Sequence, residues 1–230
     1  MSKRNKLLKF AELAAFPNVY ENYRHDQPEL VGLQGQPVEL KGGWGERHFG
    51  NDRPITLELA CGRGEYTLGL ARQNPQRNFI GVDIKGARIW QGARIALEEQ
   101  LHNAAFLRTR IERIAAFFAP GEISEIWITF PDPFPPKSKA NRRLTAPSFL
   151  REYQKFLQPG GALHLKTDDR QLFEFSRESL EAFPGATILY HDDDIYARPL
   201  PLPELELKTY YERLHLGEGK TIKYLRCSLG

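Results

Sequence analysis

From residue 55 to the end, short apolar runs alternate with segments of helical spacing. That alternation constrains the fold more than any other feature of the chain. The apolar runs occupy residues 55–60, 78–84, 104–109, 125–130, 161–167, 186–191 and 221–229, which predicts seven strands. Four of them are nearly uninterrupted, as expected of strands covered on both faces. Between them, Ile89, Ala93, Ala96, Leu97 and Leu101 recur at helical spacings, as do Phe149, Tyr153, Phe156 and Leu157. Gly160-Gly161 predicts where that second helix stops. Such an order predicts an α/β fold: a largely parallel sheet with helices on both faces.

Residues 1–50 read as a separate N-terminal unit and residues 51–230 as one globular domain. Leu7, Phe10, Ala11, Ala14 and Ala15 predict an amphipathic helix, and residues 27–50, rich in Gly and Pro, predict an irregular arm. Trp44 lies among Gly42, Gly43 and Gly45, so it reads either as a mobile cover for a ligand or as a plug at the sheet edge. Trp90 and Trp127 fall in helix and strand patterns and read as core. Pro199, Pro201 and Pro203 mark residues 197–207 as a loop, because proline cannot serve a central strand.

Several classes are excluded. No apolar run approaches the roughly 20 residues of a membrane span. Residues 1–10 are basic but lack the apolar stretch of a signal peptide, so a cytoplasmic protein is expected. Cys61 and Cys227 lack metal-ligand spacing, the histidines are scattered, and Asp192-Asp193-Asp194 reads as a solvated strand end; no metal is expected. Net charge is only +3, so nucleic-acid binding must come from local clusters. One holds Lys137, Lys139, Arg142, Arg143, Arg151 and Lys155 against the single acid Glu152; another holds Lys3, Arg4, Lys6 and Lys9. Either could neutralise phosphates or could simply be solvated.

The first predicted strand runs into Glu58-Leu59-Ala60-Cys61-Gly62-Arg63-Gly64-Glu65. Gly62 and Gly64 at a strand-to-helix turn allow a ligand close to the backbone. Asp83, at the end of the next strand, can accept hydrogen bonds from both ribose hydroxyls of an adenosine-containing cofactor. Glu58 is placed to act on the ligand's amino acid portion. A dinucleotide site would want a third glycine where Thr67 stands, which favours S-adenosylmethionine over a nicotinamide cofactor. After the fourth predicted strand comes Phe130-Pro131-Asp132-Pro133-Phe134-Pro135-Pro136. Prolines on both sides of Asp132 restrict the backbone and present its carboxylate rigidly at the sheet's ligand-binding end. The basic tract from Lys137 follows directly, which suggests one group handling a base while its neighbours hold phosphates.

On these motifs the chain resembles the bacterial tRNA (guanine-N7)-methyltransferases. The resemblance spans residues 55–229 and rests on the glycine loop, on Phe130-Pro131-Asp132-Pro133 with Lys137 and Arg142-Arg143-Leu144, on Thr167-Asp168, and on Thr209-Tyr210-Tyr211-Glu212. It implies a Rossmann-like class I methyltransferase fold, with a seven-stranded, mostly parallel sheet whose last strand is antiparallel. It implies S-adenosylmethionine at Glu58, Gly62, Gly64, Asp83 and Asp132, with Asp132 also catalytic. Lys137, Arg142, Arg143, Asp168, Thr209 and Glu212 would contact the substrate, a guanine in the tRNA variable loop. A monomer or homodimer is expected. Arg110 stands where many members carry an acid near the cofactor's adenine, Pro136 where they carry a lysine, and Ala60 in place of the loop's first glycine. Another Rossmann-fold RNA or DNA base methyltransferase is the alternative, although exocyclic-amine enzymes use a second proline where Phe134 stands.

Overall fold

The computed structural model describes residues 3–24 and 26–230, with side chains from Leu8 onward. Lys3, Arg4 and Lys6 of the basic N-terminal cluster therefore lie outside the described side chains. The chain opens with helix α1 (Lys3–Leu13) and three short strands, β1 (Val19–Glu21), β2 (Leu30–Val31) and β3 (Pro37–Val38). The alternating part follows: β4 (Ile55–Leu59), α2 (Glu65–Gln73), β5 (Asn78–Asp83), α3 (Gly86–Glu98), β6 (Ala104–Arg108) and β7 (Ile123–Thr129). It continues through α4 (Pro147–Gln154), β8 (Leu157–Thr167), α5 (Arg170–Glu181), β9 (Ala186–Asp192), α6 (Tyr210–Gly217) and β10 (Lys223–Leu229).

Among the described residues the strands form one sheet in the order β3-β2-β1-β6-β5-β4-β7-β8-β10-β9. The seven expected strands are its central and right-hand part, and the run from β6 to β8 is parallel throughout. The last strand, β10, lies between β8 and β9 and is antiparallel to both. Alternate residues face opposite layers. Leu57, Leu59, Ile80, Val82, Ile126 and Ile128 pack toward α4 and α5. Phe79, Phe106, Trp127 and Tyr224 pack toward α2 and α3.

The N-terminal arm joins the sheet: β1 extends it in parallel with β6, pairing Val19 with Phe106. Tyr20, Leu30, Leu40 and Trp44 join the same apolar cluster as β4 and β7. These strands have two or three residues each, too few to show a period; the open edge of β6 dictates their pairing. Trp44 is fully buried, donates Nε1–H to the Phe117 carbonyl at 2.9 Å and stacks on Phe118 at 5.5 Å. Of its two readings, the plug is the one observed. The second helix also ends earlier than its spacing suggests: α4 stops at Gln154, and Leu157 already begins β8. Gly160, with φ +72, lies within β8, where its register against β7 shifts. Among the described residues no helix is long and apolar enough to cross a membrane.

Candidate active site

The sheet's order reverses between β4 and β7: β4 leads outward to β5 on one side and has β7 on the other. Chain connections diverge there, and a crevice opens beyond the C-terminal ends of the strands. Both strands end in a non-glycine residue held in the left-handed region, Ala60 at φ +59 and Phe130 at φ +48, and Phe134 follows at φ +45. Each such residue costs roughly 1–3 kcal/mol and persists only where its surroundings impose it. All three border the crevice.

The glycine turn is pinned from its neighbour. Gly62 N–H donates to Asp83 Oδ2 at 3.0 Å, and Lys85 N–H donates to Asp83 Oδ1 at 2.8 Å. Gly64 has φ +72, and a Cβ there would meet the Phe106 ring at 2.5 Å, so both its dihedral and its packing require glycine. Glu58, only 3% exposed, accepts from Thr67 N–H at 2.8 Å, from Thr67 Oγ1–H, and from Thr129 Oγ1–H at 2.7 Å. It thus ties β4 to α2 and β7. Burial pushes its carboxyl up to about 7, against the opposing pull of its threonine donors.

The crevice has two chambers that meet at Ala60, Arg88 and Phe130. The wide one, about 580 Å³, is lined by Asp83, Thr109, Arg110, Glu112, Asp132 and Arg142, among others. The narrow one, about 70 Å³, lies between Glu58, Gly62 and Thr129 on one side and Thr209, Tyr210 and Tyr211 on the other. Asp132 stands exposed on the wall of the wide chamber, in the same space as Asp83. Thr109 is buried on that wall, and its hydroxyl has no hydrogen-bond partner in the protein.

The structure divides the expected substrate residues. Lys137 and Arg142 begin and end a single 3-10 turn, exposed and without an acidic partner among the described residues; Arg142 faces the wide chamber. Arg143 departs from expectation. It is 3% exposed, donates to the carbonyls of Pro133 (3.0 Å) and Phe134 (3.1 Å), and lies over the Phe175 ring at 4.5 Å. Its guanidinium staples the Asp132 loop shut and has no surface left for a phosphate. Asp168, at the end of β8, pairs with Lys220 at 3.2 Å and lies 3.6 Å from His215; it lines neither chamber.

Thr209 caps α6, accepting from Glu212 N–H at 3.2 Å, and so the Thr-x-x-Glu spacing also has a helix-start role. Glu212 is a second departure. It is fully buried, paired with Lys166 Nζ at 2.7 Å, and accepts from Tyr196 O–H at 2.6 Å. No edge of it reaches solvent, so it does not meet a base in this conformation. Sequence reasoning missed Lys166, although a lysine inside Leu163-His164-Leu165-Lys166 is the kind of buried charge that demands a partner. It also missed Thr109, Lys85 and Arg88, which line the crevice but belong to no recognisable motif.

Comparison with known proteins adds to this geometry. A family profile described as "Putative methyltransferase" matches residues 52–225. A tRNA (guanine-N(7)-)-methyltransferase of Bacteroides thetaiotaomicron is 47% identical over 226 residues, covering 98% of this chain and 86% of that protein. A protein of the same name from Christiangramia forsetii is 47% identical, with 98% of each chain covered. One from Porphyromonas gingivalis is 49% identical, over 95% of this chain and 87% of its own. Among solved structures, the 16S rRNA methyltransferase KamB superposes with a TM-score of 0.62 at 15% identity, over 85% of this chain and 96% of that one. The aminoglycoside resistance methyltransferase NpmB1 gives 0.57 at 16%, over 85% and 96%. At such identities these structures show a shared fold, that of the Rossmann-like methyltransferases. The near-full-length relatives show more, and the chain belongs to the tRNA (guanine-N7)-methyltransferase family.

Proposed function

We propose that the protein transfers a methyl group from S-adenosylmethionine to N7 of a guanine in tRNA, in the variable loop. The observation that carries this reading is the proline-held Asp132 on the wall of the chamber that also contains Asp83, beside the strained ends of β4 and β7. The residues present fit the cofactor. Asp83 keeps lone pairs for ribose hydroxyls beyond its two backbone donors, Gly62 would have open space beside a Cβ, and Thr109 offers an unpaired hydroxyl. When bound, S-adenosylmethionine supplies an electrophilic methyl group on a sulfonium.

Guanine N7 carries a lone pair in the neutral base, so the site needs no general base. Its work is orientation and charge management. Methylation at N7 would leave a positive charge on the purine. The Asp132 carboxylate stabilises that charge from a loop whose prolines and Arg143 staple prevent it from relaxing away. Glu58 acts beneath the glycine turn, keeping the start of α2 in register for the cofactor's amino acid end. The Thr209 hydroxyl, on the wall of the narrow chamber, reads hydrogen-bonding groups of the base, while Asp168, paired with Lys220 outside both chambers, has no such role in this conformation. Lys137 and Arg142 serve the phosphates of an RNA whose target nucleotide leaves its stack. A tRNA substrate fits work in the cytoplasm.

The test is incubation with methyl-labelled S-adenosylmethionine and bulk tRNA, followed by nucleoside mapping. Label in 7-methylguanosine is expected. Label in an exocyclic amine or in a ring carbon would replace this reading with that of another base methyltransferase.

A further inference from the structure

Helix α6 is docked in an unusual way. A short surface helix ordinarily buries an apolar stripe. In α6 the one fully buried side chain is Glu212, while Tyr210, Tyr211 and Leu214 are exposed. The helix that forms one wall of the narrow chamber thus sends a carboxylate into the core, beside the partly buried Leu216.

That carboxylate meets a node. Lys166 Nζ reaches Glu212 Oε1 at 2.7 Å and donates to the carbonyls of Leu205 (3.1 Å) and Leu207 (2.9 Å), which uses all three of its protons. Tyr196 O–H donates to the same Glu212 oxygen at 2.6 Å. The main chain of Lys166 faces the other way: its carbonyl accepts from Phe130 N–H at 2.8 Å. Phe130 is the strained residue two positions before Asp132. One residue thus holds the base of the Asp132 loop through its backbone and the Thr209–Tyr211 wall through its side chain. Glu212 Oε2 is buried without a hydrogen-bond partner, so the pair is not saturated.

We propose that Lys166 is a positioning residue which, with Glu212 and Tyr196, fixes α6 against the Asp132 loop and so sets the opening through which the acceptor base reaches the methyl group. Glu212 serves the site from inside the core, as the counter-ion of Lys166, and not as a contact to the guanine. This inference rests on the function proposed above.

A double-mutant cycle tests it. Lys166→Met, Glu212→Leu and the pair together are compared by tRNA KM, by kcat, by S-adenosylhomocysteine affinity from calorimetry and by thermal melting. Each single change strands a buried charge and is expected to raise tRNA KM on the order of 10-fold, with cofactor-product affinity held within about twofold. The double change removes both charges and is expected to return KM to within about threefold of wild type. Additive losses, with Glu212→Leu inactive alone and in the pair, would assign Glu212 a direct contact and overturn the proposal. Cofactor-product affinity falling in step with melting temperature would overturn it too, leaving a purely structural pair. Should the single variants fail to fold, Tyr196→Phe removes one hydrogen bond of the network. A raised tRNA KM with unchanged cofactor-product affinity supports the proposal, and an unchanged KM sinks it. Failure of the wild type itself to label guanine N7 would strike the proposed function instead, and is read separately from the cycle.

Discussion

Asp83, Asp132 and Glu58 are three of the carboxylates that line the crevice, and the surroundings of each give it a different task. Asp83 is occupied by two backbone donors and shapes the turn. Asp132 is exposed on the chamber wall and free to face a ligand. Asp132→Ala should therefore lower kcat by about 100-fold while S-adenosylhomocysteine still binds, as loss of a preorganised electrostatic group does. A calorimetric titration beside a turnover assay checks both halves. Glu58 makes a prediction about stability. Its carboxyl is raised from the usual 4.5 to about 7, with burial the largest cause. The folded state then holds this proton more tightly than the unfolded chain. Its contribution to stability is fully present below pH 4.5 and is lost as pH rises through about 7, amounting to about 3 kcal/mol at most. Melting temperature should fall across that window in the wild type, and Glu58→Gln should flatten the fall. A parallel decline in that variant would assign the titration to another group.

At the scale of elements, the Asp132 loop separates cations that look alike in sequence. Arg142 and Arg143 are adjacent, yet one faces the chamber and the other is folded beneath the loop, capping its carbonyls. Lys137→Ala and Arg142→Ala should weaken tRNA binding and lower the salt slope by about 0.7–0.9 per residue, with melting unchanged. Arg143→Ala should do the reverse: melting falls and kcat drops as Asp132 loses its support, while the salt slope stays. Filter binding at several salt concentrations distinguishes the two. Sequence could not have made this division, because nothing in a basic tract says which guanidinium turns inward; the orphan carbonyls of a proline-rich loop decide it. The strands were legible for the opposite reason. Runs such as Ile126-Trp127-Ile128 have no face that tolerates water, and the glycine turn and the proline-flanked acid announce themselves by chemistry that is local to the chain. The Thr-x-x-Glu segment was legible only as a motif: the structure adds that its threonine caps α6 and that its glutamate is buried against Lys166, far away in sequence.

For the molecule as a whole, the question is how a chain of net charge +3 recognises a polyanion and what holds the recognition face in place. Arg63, Lys85, Arg88, Arg110, Lys137, Lys139 and Arg142 are exposed and make no ion pair among the described residues. Six of them border the two chambers or adjoin the Asp132 loop, so unpaired cations gather at the crevice mouth although the total charge is small. The N-terminal arm stands at the sheet's far edge and contributes rigidity. Its strands close the exposed side of β6, and Trp44 fills the space between Tyr20 and Phe118. Trp44→Ala should cost about 3–5 kcal/mol of stability, as loss of a large buried aromatic does, and should leave S-adenosylhomocysteine affinity unchanged in the folded fraction. A mobile cover over the cofactor would give the opposite pair of results, weaker binding at constant stability. Melting and calorimetry on this one variant therefore decide whether residues 1–50 act by completing the sheet or by closing over the site.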